Sequence, residues 1–326
     1  MEALSRLARV RPRAAALAAA GLAAAALAPC PAAARVVGSL DTAGYAQSLA
    51  VDGERAYVAD GEAGLLVVDV SDPESPERLG GLDTPGFAWD VAVAGERAYV
   101  ADGSTGVRIV DVSDPRAPRE LGVYDSPNFA LAVAVAGHHI FVADRLAGLQ
   151  IVDVADPAKA RLVATLDTPG AALDVALQGP LAFVADGDRG VRVVDVSEPS
   201  APRALGSVET PGSALDVDVA GSLAFVADRL SGVRILDVSD PAAPHEVGAF
   251  DTRDFVLAVA SDGAHVFAAT RGAGVRVLDV RKPEAPSQIG ALETGGEAWD
   301  VEVARGLVFV ADGSAGIRIL EPDREP

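Results

Sequence analysis

Four carboxylates recur at one position of a 42-residue period: Asp90, Asp174, Asp216 and Asp300, with Ser48, Ala132 and Ala258 in the remaining copies. Carboxylate oxygens in this number suit a hard cation such as Ca²⁺, which needs several of them at about 2.3–2.6 Å. They equally suit backbone amides, which favour the ionised form by hydrogen bonding. The spacing argues for the amides. In a ring of seven copies only Asp174 and Asp216 come from adjacent units, so the four do not converge on one ion. The expectation is local hydrogen bonding to nearby turns, with no dedicated metal and no cofactor.

A companion column reads Gly61, Gly103, Arg145, Gly187, Arg229, Arg271 and Gly313. The third and sixth copies exchange Asp for Ala and Gly for Arg together, which predicts a surface alternating in sign around the ring. Six aromatic residues gather nearby: Tyr45, Phe87, Phe129 and Phe255 in one column, and Trp89 and Trp299 two residues further on. Rings of this kind fill wedge-shaped gaps between units, or form a patch for a sugar or peptide. Filling predicts that both indoles are buried with bonded N–H groups. Should any surface bind a partner, it is the one bearing these aromatics with Asp90, Asp174, Asp216, Asp300, Arg145, Arg229 and Arg271.

Signals for catalysis are sparse. His138, His139 and His265 fall in or beside one class of turn and His245 starts a strand, all away from that surface. There is no G-x-S-x-G, H-E-x-x-H or P-loop pattern. An enzyme would have to act through Asp and Arg, as a metal-assisted hydrolase or lyase. The leading reading is a non-enzymatic module that binds a protein or glycan. A net charge of −20 opposes nucleic acid, whose phosphates need a basic surface. The arginine column Arg108, Arg192, Arg234, Arg276 and Arg318 is interleaved with acids and has no stacking aromatics beside it. It reads as a paired strand face, with the aspartate ending the same strand as the expected partner.

The elements that must position these residues are legible in the repeat itself. Ala56 to Asp60 (AYVAD) recurs in register at Ala98, Ile140, Ala182, Ala224, Val266 and Val308, seven copies without a gap. Each copy holds four short apolar runs, here termed strands a to d, separated by Gly, Asp and Pro. One column of strand b is always aromatic: Tyr57, Tyr99, Phe141, Phe183, Phe225, Phe267 and Phe309. The b–c turn always carries Gly, from Gly64 to Gly316, which predicts a positive φ. Four strands at this period match a propeller blade. The fold class is therefore all-β: a seven-bladed β-propeller of four antiparallel strands per blade. Strand a crosses the blade and b returns, so the d–a and b–c turns share one face, termed the top. The last blade lacks strand d, and Arg35 to Asp41 aligns with strand d of the other copies. Docking the first strand on the last blade closes the ring and removes two open edges.

The first 34 residues differ from the rest. Arg6, Arg9, Arg11 and Arg13 precede an apolar run from Ala14 to Ala28, then Pro29-Cys30-Pro31 and Ala32-Ala33-Ala34. This is the order of a secretory signal peptide, and the run is short for a membrane span. The expected organisation is a leader over 1–34, one propeller over 35–321 and a tail over 322–326. Secreted, periplasmic or surface residence follows, with lipidation at Cys30 as the alternative to cleavage after Ala34. The sole cysteine excludes an intrachain disulfide framework.

Strand c reads Leu66-Val67-Val68-Asp69-Val70, Arg108-Ile109-Val110-Asp111-Val112 and Gln150-Ile151-Val152-Asp153-Val154, flanked by DVSDP. With that flank, the chain resembles the LVIVD-repeat family of bacterial and archaeal surface or secreted proteins. The resemblance implies a β-propeller outside the cytoplasm and carries no reaction and no functional residues with it.

Overall fold

The computed structural model describes residues 35–322. The leader, Cys30 and the tail beyond 322 lie outside the described residues. The chain forms seven four-stranded antiparallel sheets, six of them built from consecutive strands. In blade one the strands are Ser48–Asp52, Arg55–Ala59, Leu65–Asp69 and Glu77–Leu82. The seventh sheet pairs Ile317–Glu321 with Arg35–Leu40, from Arg35 opposite Glu321 to Leu40 opposite Ile317, with a bulge between Val36 and Gly38. The first strand thus closes the ring. Arg35 adds a forked contact to Glu321 at 3.0 and 2.8 Å.

Local chemistry explains the blades. Val-rich runs of about five residues suit a pleated, buried sheet. Gly64 in the b–c turn has φ +74°, and a Cβ there would lie 2.4 Å from the Leu82 carbonyl oxygen. The c–d turn is capped from within, Ser71 N–H donating to Asp69 at 2.8 Å and Glu74 N–H to Asp72 at 3.0 Å. The aspartates prefer this turn because they can hydrogen-bond backbone two residues on.

Hydrophobic packing lies between sheets rather than within them. Tyr57 of blade one packs with Val91, Val93 and Val110 of blade two. Phe309 of blade seven packs with Leu49 and Val58 of blade one, which continues the packing across the closure. All seven strand-b rings are buried, none more than 3% exposed. Burying such a ring contributes about 1.5–3 kcal/mol. Among the described residues, no helix is long and apolar enough to cross a membrane.

Candidate binding face

The top face is built by two turns that hold each other. In blade two, Thr84 of the d–a loop donates its hydroxyl to Asp102 at 2.6 Å, and Gly86 N–H donates to the same carboxylate at 3.0 Å. Asp102 ends strand b, is fully buried, and faces Arg108 of strand c at 3.3 Å. Thr210, Gly212, Asp228 and Arg234 repeat the arrangement in blade five. Four of the five strand-c arginines, Arg108, Arg192, Arg234 and Arg318, therefore lie beside the aspartate ending strand b, which corrects the expected partner. The aspartate ending strand c is occupied elsewhere: Asp111 accepts from Ser113 and Arg119, which hold it down at about 2. Burial pushes Asp60, Asp144, Asp186 and Asp312 upward, and their hydrogen bonds offset only part of that cost.

Asp90, Asp174, Asp216 and Asp300 lie below this layer, on strand a, and are only 4–7% exposed. Each accepts an amide from strand a of the next blade: Val133 to Asp90 at 2.8 Å, Val217 to Asp174 at 3.1 Å, Val259 to Asp216 at 2.8 Å and Leu49 to Asp300 at 3.1 Å. Local hydrogen bonding is what the spacing predicted. The donors, however, come from the neighbouring blade's strand and not from turns. Nor are all four independent, because the Ser48 hydroxyl lies 2.6 Å from Asp90 and 2.8 Å from Asp300. One hydroxyl proton serves only one of them at a time.

Two further acids continue this seam and escaped the sequence reading. Asp218 accepts Ser261 N–H at 2.7 Å and Glu302 accepts Val51 N–H at 3.1 Å, both nearly fully buried. The other five blades hold Ala at that position, so an acid on an otherwise alanine column was the available signal. Among the described residues, no group of three His, Cys, Asp or Glu side chains is placed to hold a metal ion.

Because the four aspartates are buried, they place no charge on the top face to alternate with the arginines. Arg145, Arg229 and Arg271 are exposed on b–c turns. Their neighbours across the blade boundary follow a rule. Where the turn has Gly, a ring covers it: a Cβ at Gly61 or Gly103 would meet Phe87 or Phe129 at 2.9 Å, and one at Gly313 would meet Tyr45 at 2.8 Å. Where it has Arg, the ring changes role or gives way. Arg229 sits 5.6 Å above the Phe255 ring, and Arg271 pairs with Glu297 at 3.3 Å. Arg145 bridges to Ala172, beside the small Ala171. Gly187 is the exception, with Ser213 in the ring position.

The two tryptophans are neither fully buried nor free. Trp299 N–H donates to the Tyr45 hydroxyl at 2.9 Å, which donates to Glu297 at 2.6 Å. Burial, with Glu297 beside it, raises Tyr45, while the Tyr45 hydrogen bond holds Glu297 below the usual carboxylate range. Trp89 packs 4.8 Å from Phe87 and 6.1 Å from Phe129, and its enclosed indole N–H has no acceptor among the described residues. Between these clusters lies a depression of about 570 Å³, lined by Tyr45, Gln47, Glu62, Phe87, Trp89 and Trp299. Beyond it stand two side chains the sequence reading did not single out. Leu146 and Leu230 are 68% and 64% exposed, each directly after an arginine at positive φ, Arg145 at +48° and Arg229 at +55°.

A closed ring of seven four-stranded blades defines a β-propeller. The particular family follows from the repeats: residues 43–84, 85–126, 129–168, 169–210, 211–252 and 295–321 match the LVIVD repeat, and the chain belongs to that family. No curated protein matches it in sequence. Among solved structures it is similar to U3-55K, at TM-score 0.72 and 14% identity over 90% of this chain and all of that one. It is similar to the WD40 repeats of RRP9, at 0.72 and 14% over 91% and 99% of the two chains. The β-propeller domain of Myceliophteria thermophila Cps50 (Swd1) matches at 0.72 and 13%, over 88% and 99%. At such identities the likeness concerns the fold alone.

Proposed function

We propose that this chain is an exported, non-catalytic propeller whose top face holds a protein or glycan partner. The observation that carries the reading is the placement of Leu146 and Leu230, the most exposed large apolar side chains among the described residues. They stand on b–c turns of the top face, beside arginines kept in a left-handed conformation that costs roughly 1–2 kcal/mol outside glycine. Strain and exposed apolar surface kept together are what a binding site retains and a scaffold does not need. The depression between Tyr45, Phe87, Trp89 and Trp299 adds an aromatic foothold on the same face. The buried carboxylates favour binding over hydrolysis, since each already accepts a backbone amide. Export rests on the basic, apolar and A-x-A order of residues 1–34.

The test is quantitative binding to envelope proteins and to a glycan array, comparing wild type with Leu146→Ser, Leu230→Ser and Trp89→Ala. Loss of binding at unchanged melting temperature is expected. Full binding by all three variants would remove the top face from the proposal. N-terminal analysis of the protein recovered outside the cytoplasm should find Arg35 first, whereas a lipidated Cys30 would establish the anchored alternative.

A further inference from the structure

Strand c carries an arginine in five blades, and in four of them the guanidinium faces the buried aspartate ending strand b. Arg108 lies 3.3 Å from Asp102, Arg192 3.9 Å from Asp186, Arg234 3.5 Å from Asp228 and Arg318 3.6 Å from Asp312. Strand d supplies a second acid in two of these blades, Glu120 at 3.6 Å from Arg108 and Glu246 at 3.5 Å from Arg234. Blade six keeps the arginine and loses both acids. Thr270 stands in the aspartate position and Gln288 in the glutamate position. Thr270 donates its hydroxyl to the Gly274 carbonyl at 2.8 Å instead. Among the described residues, the Nε–H of Arg192, Arg234 and Arg276 all lack a hydrogen-bond acceptor, but Arg192 and Arg234 keep an aspartate within 4 Å, whereas Arg276 has no ion pair.

The loop above it has changed as well. The Thr-Pro-Gly of 84–86, 168–170 and 210–212 becomes Thr252-Arg253-Asp254. Arg253 takes φ +59°, left-handed, where proline held the loop elsewhere. Asp254 accepts the Gly272 and Phe255 amides at 3.0 and 2.7 Å, and Asp251 accepts the Arg253 amide at 2.8 Å. A cavity of about 640 Å³ results, with Thr252, Arg253, Asp254, Ala273, Arg276 and Gln288 in its lining. The family matches stop at 252 and resume at 295, which leaves this repeat unmatched.

We propose that blade six binds one carboxylate from outside the chain, seated on Arg276 where the other blades carry their own aspartate. A guanidinium with no acid beside it and an enclosed Nε–H without an acceptor leaves a strong donor unsatisfied, and a planar carboxylate matches its fork. Asp251 and Asp254 also line the cavity and set the limit. With two acids beside Arg253 and Arg276 the cavity carries no net positive charge, so it takes a single small carboxylate that reaches the Arg276 fork and rejects polyanions. The site is separate from the aromatic depression and does not depend on what that depression binds.

The probes are acetate and glucuronate, a simple carboxylate and a sugar acid, with sodium chloride at matched ionic strength as the screening control. The readout is the Arg276 Nε–H resonance, assigned by its disappearance in Arg276→Gln. A saturable shift with either carboxylate is expected, absent with chloride. A response to glucuronate alone would assign the source to a sugar acid. Thr270→Asp rebuilds the internal pair, so it should raise the melting temperature and weaken the probe by about tenfold or more, equivalent to about 1.4 kcal/mol. An unmoved resonance with both probes, an equal shift with chloride, or unaltered binding in Thr270→Asp would each overturn the proposal.

Discussion

The Asp216 carboxylate accepts the Val259 amide at 2.8 Å, joining strand a of blade five to strand a of blade six. This seam recurs where the aspartate column is filled, and it reinforces sheets whose backbones meet at an isolated bridge, here between Arg229 and Val256. Asp216→Ala should leave the buried Val259 N–H without its acceptor, at about 2–3 kcal/mol for a bond to a charged group. Asp216→Asn keeps an acceptor oxygen, and roughly half that loss is expected. Urea unfolding midpoints measure both, and equal losses would mean that charge rather than acceptance matters.

Tyr45 connects two columns that the sequence presents separately. Its hydroxyl accepts from Trp299 and donates to Glu297, which also meets Arg271. Tyr45→Phe should cost about 1 kcal/mol and let Glu297 titrate closer to an ordinary glutamate. The sign follows from the shift. A depressed acid contributes stability above its unfolded pKa and loses it as pH falls through the folded one. The variant should therefore lose less stability than wild type on acidification below the usual glutamate range. NMR titration of Glu297 with and without Tyr45 gives the direct measurement.

The blade and its turns were legible because each rests on a property repeated seven times, a strand-b ring and a b–c glycine, and the ring closure because the one strand missing from the seventh copy is supplied by the segment from Arg35. The relation between Gly103 and Phe129 was not. Both columns were visible, but the contact crosses a blade boundary, 26 residues apart in sequence, and only the ring geometry brings them together. The Arg108–Asp102 pair was missed for a related reason, since Asp102 and Asp111 flank Arg108 in sequence and spacing alone does not say which one is buried beside it. Leu146 and Leu230 were overlooked because a leucine in an apolar-rich chain reads as core until its exposure is known.

Ring closure predicts a cooperative loss. Removing Arg35–Leu40 leaves Ile317–Glu321 with an open edge beside a buried face, which invites pairing with other chains. The truncated protein should melt several degrees lower and form oligomers by light scattering. Arg35→Ala alone should change stability by less than about 1 kcal/mol, because its pair with Glu321 is exposed. A truncated chain that stays monomeric with the full-length melting point would show that closure needs only the remaining packing.

Two histidines on the opposite face titrate in opposite directions. His265 lies 3.1 Å from Asp262 and is raised by that hydrogen bond, against burial. His139 is lowered by burial, which its acidic neighbours do not overcome. Burial works to raise Asp262, but hydrogen bonds from the His265 ring and from the His265 and Ala264 amides hold it below the usual range. The stability that His265 contributes is therefore present below the ordinary histidine pKa of about 6.5 and lost as pH rises through its higher folded value. His139 runs the other way: its neutral form is favoured, so protonation on acidification destabilises the fold. Imidazole proton shifts should give a midpoint for His265 above about 6.5 and one for His139 below it. Asp262→Asn should bring His265 down while leaving His139 in place. If His265 still titrates high in that variant, Asp279, the next acid acting on it, becomes the cause, and Asp279→Asn should then lower it.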